Sequence, residues 1–261
     1  MKTIVITGGT DGMGKALART YLERGDTVAI IGRDKEKAAT LPDAHFIPAD
    51  LSLISENRRV IEEINSAFRT VDALVLCARY FRSTRFETAD GVEGTFALEY
   101  LSRFLLSHGL TDPQVIVNVS GPGLPMDAIH WNDLMLERGY HGVAAQMQAG
   151  KANDLLGIAY AAQHRVSRTR YVLINPGGVS TSFAGEYDEP TAAHVASLRR
   201  YGKPVEEGIK PIVTRIDFPP AEPLSAFMQD QPISLDHPSF DPRAAARLHE
   251  LTLEVVRERQ R

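Results

Sequence analysis

The sequence predicts a doubly wound α/β domain on a parallel sheet. Three observations carry this. Short apolar, β-rich runs alternate with longer helical patterns along the chain. A glycine-rich turn joins the first run to the first helix. And 261 residues, 43% hydrophobic, suit one domain with a single core, or one with a small cap.

The elements follow in order. Lys2–Thr7, Thr27–Ile31, Ala44–Pro48, Val71–Cys77, Gln114–Val119 and Tyr171–Asn175 read as buried parallel strands, because they are apolar almost without interruption, as expected where both faces of a sheet are covered. Helical patterns occupy 12–24, 53–69, 91–107, 142–164 and 191–216. The proline-dense stretch Phe218–Pro242 breaks the rhythm and contains Leu224–Met228, which reads as an edge strand. A last amphipathic helix spans Pro242–Arg259, with Asp241 as its N-cap and Pro242 at its first position. The whole chain, 1–261, is expected to be one domain, with 178–240 as a small substrate cap.

Composition narrows the function. A formal charge of -4 and a pI near 6.1 provide no broad basic field, which disfavours nucleic acid as a partner. The single cysteine, Cys77, excludes an internal disulfide framework and favours a reducing compartment. The opening MKTIVITGG is too short an apolar run for a signal peptide or membrane span, so a cytoplasmic protein without a membrane partner is expected. No His/Cys/Asp/Glu spacing suggests a metal site.

Thr7–Gly14 reads TGGTDGMG between the first strand and first helix. Gly8, Gly12 and Gly14 can make the tight turn, let backbone approach a pyrophosphate, and pack helix on strand. At the end of the second strand, Gly32-Arg33-Asp34 replaces the usual terminal acid. Arg33 can fork onto a 2′-phosphate, so NADP(H) is favoured over NAD(H); the alternative is a solvated arginine at a helix start. Asp50 could accept from an adenine amino group or cap the following helix.

These strings resemble the short-chain dehydrogenase/reductase family, in its retinol-dehydrogenase-like branch. TGGTDGMG is similar to that family's TGxxxGxG. Arg33, Asp50-Leu51, VNVS at 117–120, DLMLERGY at 133–140, NPGGVST at 175–181 and the C-terminal FDPRAAARLHELT fall where the family has similar strings. The resemblance implies a Rossmann fold. It also implies a cofactor set of Gly8, Thr10, Asp11, Gly12, Met13, Gly14, Arg33, Asp50, Leu51, Cys77, Ala78, Lys151, Pro176, Gly177 and Thr181. It further implies a homo-oligomer, dimer or tetramer, through the helices near 91–107 and 142–164, where Gly142, Ala144 and Ala145 would permit close approach.

In such enzymes a tyrosine moves the proton, a lysine one helical turn later lowers its pKa, a serine polarises the carbonyl, and an asparagine supports a water chain. Here the pattern departs. In AAQMQAGKAN, Gln146 falls at the tyrosine position and Gly150 at the lysine position; a one-residue slip would instead align Met147 and Lys151. Gly121 stands at the catalytic serine, with Ser120 beside it. Glu99 stands at the asparagine, where an ion pair with Arg103 is the simpler role. Arg79 replaces a glycine beside the cofactor, so it must swing away or contact a phosphate. The candidate catalytic groups are therefore Ser120, Gln146, Lys151 and Glu99, with Tyr100, His130, Tyr140, His141, Tyr187 and Tyr201 as further acid–base candidates. Phe183, Tyr187, Tyr201 and Phe218 are candidates to line the substrate site.

The functional expectation is an NADP(H)-binding oxidoreductase acting on a small or medium apolar carbonyl or alcohol, through a site lacking the Tyr-x-x-x-Lys pair. The alternatives are a non-redox enzyme of the same pocket, such as a cyclase or dehydratase, and a regulatory protein that binds a nucleotide or metabolite.

Overall fold

A computed structural model describes residues 1–259. The strands are β1 (Thr3–Thr7), β2 (Thr27–Gly32), β3 (His45–Pro48), β4 (Ala73–Leu76), β5 (Phe81–Arg82), β6 (Val115–Val119), β7 (Arg170–Asn175), β8 (Gly185–Glu186), β9 (Leu224–Met228) and β10 (Gln231–Ile233). The helices are α1 (Gly12–Glu23), α2 (Lys35–Ala38), α3 (Ile54–Ala67), α4 (Gly94–Phe96), α5 (Ser102–Gly109), α6 (Gly142–Gln163), α7 (Glu189–Tyr201), α8 (Val205–Gly208), α9 (Lys210–Asp217) and α10 (Pro242–Glu258).

Eight strands form one sheet in the order β10-β9-β7-β6-β4-β1-β2-β3, parallel except for β10. The chain winds outward from β1 in both directions, which places the topological switch between β1 and β4. Side chains alternate across the sheet: Val5 packs toward α3, α5, α6 and α10, whereas Ile4 and Ile6 pack toward α1 and α9. Both faces are covered, which is why these strands are apolar throughout.

Three expectations are corrected here. Leu224–Met228 is not the edge, because β10 folds back antiparallel on it. The expected helix 191–216 is three helices, α7, α8 and α9, interrupted around Gly202 and Pro204. And the single helix 91–107 contains a π-turn, Ala97–Leu101, between α4 and α5. The N-cap at Asp241 holds: its carboxylate accepts from Arg243 N at 2.8 Å.

Helix α6 is buried on most sides. One flank meets the sheet and another meets α10, whose Ala245 and Leu248 are about 1% exposed. Tyr100 in the π-turn reaches α10 as well, through its hydroxyl and that of Thr252 at 2.7 Å. The chain's own α10 thus covers part of α6 and of the π-turn, within the two segments expected to receive a second copy. Gly142 also serves this chain: a Cβ there would lie 2.4 Å from the carbonyl oxygen of Arg82. Among the described residues no helix is long and apolar enough to cross a membrane.

Candidate active site

A cleft of about 900 Å³ opens at the carboxyl ends of the parallel strands. Its base is the β1–α1 turn. Gly8 and Gly12 have φ of +67° and +51°, and a Cβ on Gly14 would lie 2.3 Å from the Gly8 carbonyl oxygen. Asp11 caps α1, accepting from Gly12 N at 2.7 Å, and pairs with Lys37. Burial tends to raise its carboxyl, but the bonds from Lys37, Gly12 and Ser182 hold it below the ordinary value.

At the end of β2, Arg33 is half exposed, 5.3 Å over the Tyr80 ring and 3.7 Å from Asp50. Asp34 caps α2 by accepting from Lys37 N at 3.0 Å, which engages its carboxylate at the helix start, and Lys37 lines the cleft beside it. Asp50 does not cap α3. It closes a turn on Ser52, at 3.0 Å to N and 2.7 Å to Oγ, while the first amide of α3 is bound by Asp90 from another loop.

The cleft brings together Gly8, Thr10, Asp11, Gly12, Met13, Gly14, Arg33, Asp50, Leu51, Cys77, Ala78, Pro176, Gly177 and Thr181, with Ser120, Gln146 and Glu99 on the same walls. Desolvation pushes the Cys77 thiol up to about 12, which disfavours its thiolate.

Lys151 is the exception. It is fully buried, with Nζ bonded to the carbonyl oxygen of Ser239 and 3.3 Å from Asp154 Oδ2. It neither lines the cleft nor meets solvent, against its expected place in the cofactor set. Gln146 and Gly150 both line the cleft; Met147 does too, but its partner in the slipped register points inward. One residue of offset is about 100° round a helix, enough to send Lys151 into the core.

The groups at the departed positions touch each other. Arg79 swings onto α6, and its Nε donates to Gln146 Oε1 at 2.9 Å. Gln146 Nε2 donates to Glu99 Oε1 at 2.8 Å, and that oxygen also accepts from Tyr80 N at 3.3 Å. Arg79 Nε stands 3.7 Å from Glu99 Oε2. Glu99 is 6% exposed; Arg79 makes the direct ion pair with it, while Arg103 interacts with its charge without a direct contact. Arg103 instead crosslinks the strand ends, bonding Asn118, the carbonyl of Val119 at 2.8 Å and that of Ala78 at 3.2 Å. The Glu99 carbonyl, within the π-turn, accepts from Asn153 Nδ2 at 2.8 Å.

Ser120 Oγ is turned to the Asn118 carbonyl at 3.5 Å. A Cβ on Gly121 would meet nothing closer than Asn175 Nδ2 at 3.9 Å.

Of the remaining candidates only Phe183 and Tyr187 line the cleft. Tyr187 stacks on Phe81, with centroids 5.5 Å apart, and its hydroxyl donates to the Phe183 carbonyl. Tyr201 and Phe218 are exposed away from it, 74% and 77%, and Tyr100, His130, Tyr140 and His141 lie outside it. Within 178–240 the lining runs only from Gly178 to Leu198, because β9 and β10 belong to the sheet. Among the described residues, no group of three or more His, Cys, Asp or Glu could hold a metal ion.

The fold and cleft define a doubly wound, Rossmann-like α/β protein. The family model described as short chain dehydrogenase matches residues 2–121. An uncharacterized oxidoreductase of Saccharomyces cerevisiae is 28% identical over 193 residues, 69% of this chain and 61% of that protein. Human retinol dehydrogenase 13 is 30% identical over 165 residues, 57% of this chain and 50% of that protein. By these matches the chain is similar to short-chain dehydrogenases, the family model reaching residues 2–121. It therefore spans between half and about two thirds of these two relatives. A crystal structure of an uncharacterized protein from Mycobacterium paratuberculosis shares the fold, with a TM-score of 0.73, 23% identity, and coverage of 98% of this chain and 94% of that one.

Proposed function

We propose that this chain is an NAD(P)-dependent oxidoreductase that prefers NADP(H) and acts on a small or medium, largely apolar carbonyl or alcohol through a site without the tyrosine–lysine pair. The observation that carries the cofactor reading is the pairing of the glycine cradle with Arg33 and Lys37 at the end of β2, where the neighbouring carboxylate is committed to capping α2. The cradle fits a pyrophosphate because its backbone is bare and unable to take side chains at Gly8 and Gly14. Arg33, stacked on Tyr80, would hold a 2′-phosphate; Thr181 and Gly177 close the opposite side.

When bound, the nicotinamide supplies the hydride. The chain supplies position: the stacked Phe81–Tyr187 pair forms a flat apolar part of the cleft wall. No phenol–ammonium couple stands at Gln146 and Gly150 to relay a proton, so proton transfer falls to water or to a slower group. That absence also favours a second reading, a nucleotide-binding protein without turnover.

The test is cofactor titration by nicotinamide fluorescence. NADPH should bind more tightly than NADH, and Arg33→Ala should weaken NADPH by roughly tenfold or more while leaving NADH nearly unchanged. Equal effects on both would remove the 2′-phosphate role, and no binding of either would remove the cofactor reading. Bound NADPH without oxidation across a broad carbonyl panel would favour the second reading.

A further inference from the structure

Among the described residues five cations line the cleft; Lys37, Arg82 and Arg103 hydrogen-bond through terminal nitrogens, and Arg33, 3.7 Å from Asp50, is the one assigned above to the cofactor. Arg33 faces Asp50, Lys37 is paired with Asp11, Arg82 is paired with Glu186 and lies between the rings of Tyr80 and Phe86, and Arg103 is bonded to Asn118 and two carbonyls. Arg79 differs. Its Nε edge is held by Gln146 and faces Glu99, while its two terminal nitrogens have no partner among the described residues, and 58% of the side chain is exposed. The amide of Gln146 donates to Glu99 at one end and accepts from Arg79 at the other, which fixes the direction in which the guanidinium fork points.

Part of the lining of the same cleft is apolar. Val143, Met147 and Phe86 line the cleft while 48%, 39% and 43% exposed, and the Phe81–Tyr187 stack adds a flat wall. Exposed apolar groups gathered at a cleft mouth mark a surface that a ligand covers.

We propose that the substrate of this cleft carries a carboxylate on an apolar body, and that Arg79 is the residue that holds the carboxylate. This deepens the function proposed above and rests on it only for the cleft being the substrate site. The same fork could instead meet a phosphate of the dinucleotide, so the test separates the two sources.

Full-length protein is titrated with 4-phenylbutanoate and with 4-phenylbutanamide, by calorimetry and ligand-observed NMR, with and without saturating NADPH. The acid should bind about tenfold more tightly than the amide, the order expected for a charge-assisted pair. Arg79→Gln should bring the acid down to the level of the amide without changing NADPH affinity; Arg79→Lys should keep part of the preference. Arg82→Gln, whose guanidinium is already paired with Glu186, should leave the acid-to-amide ratio unchanged. Thermal unfolding of each variant confirms that it is folded. Equal binding of acid and amide by the unaltered protein, or no acid binding at millimolar concentration, overturns the proposal. So does an Arg79→Gln variant that loses NADPH while keeping the acid, because the fork then belongs to the cofactor. If NADPH does not bind but the acid preference stands and depends on Arg79, the cofactor reading fails and this one survives.

Discussion

Replacing Lys151 with methionine separates a lysine that serves the cofactor from one that holds the fold together. The side chain and that of Asp154 are both 0% exposed, and together they tie three pieces of chain. Nζ reaches the Ser239 carbonyl just before α10, Asp154 Oδ2 accepts from Gly123 N at 3.0 Å in the loop after β6, and both residues sit on α6. Asp154 Oδ1 has no partner among the described residues, so without the lysine the carboxylate keeps little compensation. Breaking a buried pair from one side costs about 3–5 kcal/mol. At roughly 2–4 °C per kcal/mol for a domain of this size, Tm should fall by roughly 6–20 °C.

The loss has a pH signature. Burial raises the Asp154 carboxyl to about 7, with Lys151 and the Gly123 amide pulling it down. A raised acid contributes stability that is complete below its unfolded pKa of 3.8 and is lost as pH rises through about 7. That difference of about 3 units corresponds to about 4 kcal/mol. Removing Lys151 lifts the folded pKa further, so the loss extends to higher pH and the penalty at pH 8 should exceed that at pH 5.5. Far-UV circular dichroism melts at both pH values measure this, and Lys151→Met with Asp154→Leu should recover most of the stability. A single variant within about 0.5 kcal/mol of the unaltered protein would refute the buried-pair account. A normally stable Lys151→Met variant that no longer binds NADPH would return the lysine to the cofactor.

Two further predictions concern the reaction and the assembly. Gln146→Tyr with Gly150→Lys should raise carbonyl reduction by roughly 10²–10⁴-fold, measured as NADPH oxidation, whereas Met147→Tyr should raise nothing. A Cβ at 150 would lie 2.8 Å from Leu124 Cδ1, so the gain should be larger with Leu124→Ala added. Because α10 covers part of α6 and of the π-turn, sedimentation should find no dimer built on those helices, and deleting residues from Pro242 onward should uncover an apolar face and cause self-association. A dimer that persists and is broken by polar substitutions on the exposed surface of α5 or α6 would refute this.

The cradle was legible because everything it needs is local. Gly8, Gly12 and Gly14 follow β1 within a single turn, and their spacing alone dictates how closely backbone can approach backbone. The strands were legible for a related reason, since covering both faces of a sheet leaves a run of apolar residues that needs no knowledge of its partners. What failed was each inference that depended on a distant partner. Lys151 looks like a cofactor lysine or a surface one until Ser239, 88 positions away, is placed beside it. Glu99 looked paired with Arg103 at helical spacing, but a π-turn intervenes and Arg103 is drawn to the strand ends, leaving Arg79 to face the carboxylate. Arg79, Gln146 and Glu99, taken singly, read as three losses from a catalytic pattern. Joined by hydrogen bonds across separations of 67 and 47 residues, they form one unit whose free edge points into the cleft. Replacements that meet one another in space constrain one another, because a buried carboxylate at 99 requires donors at 146 and 79. Gln146→Leu should therefore disturb Glu99 as well as Arg79, and its melt should improve when Glu99→Gln is added. If the two substitutions simply add, the three residues do not act as a unit.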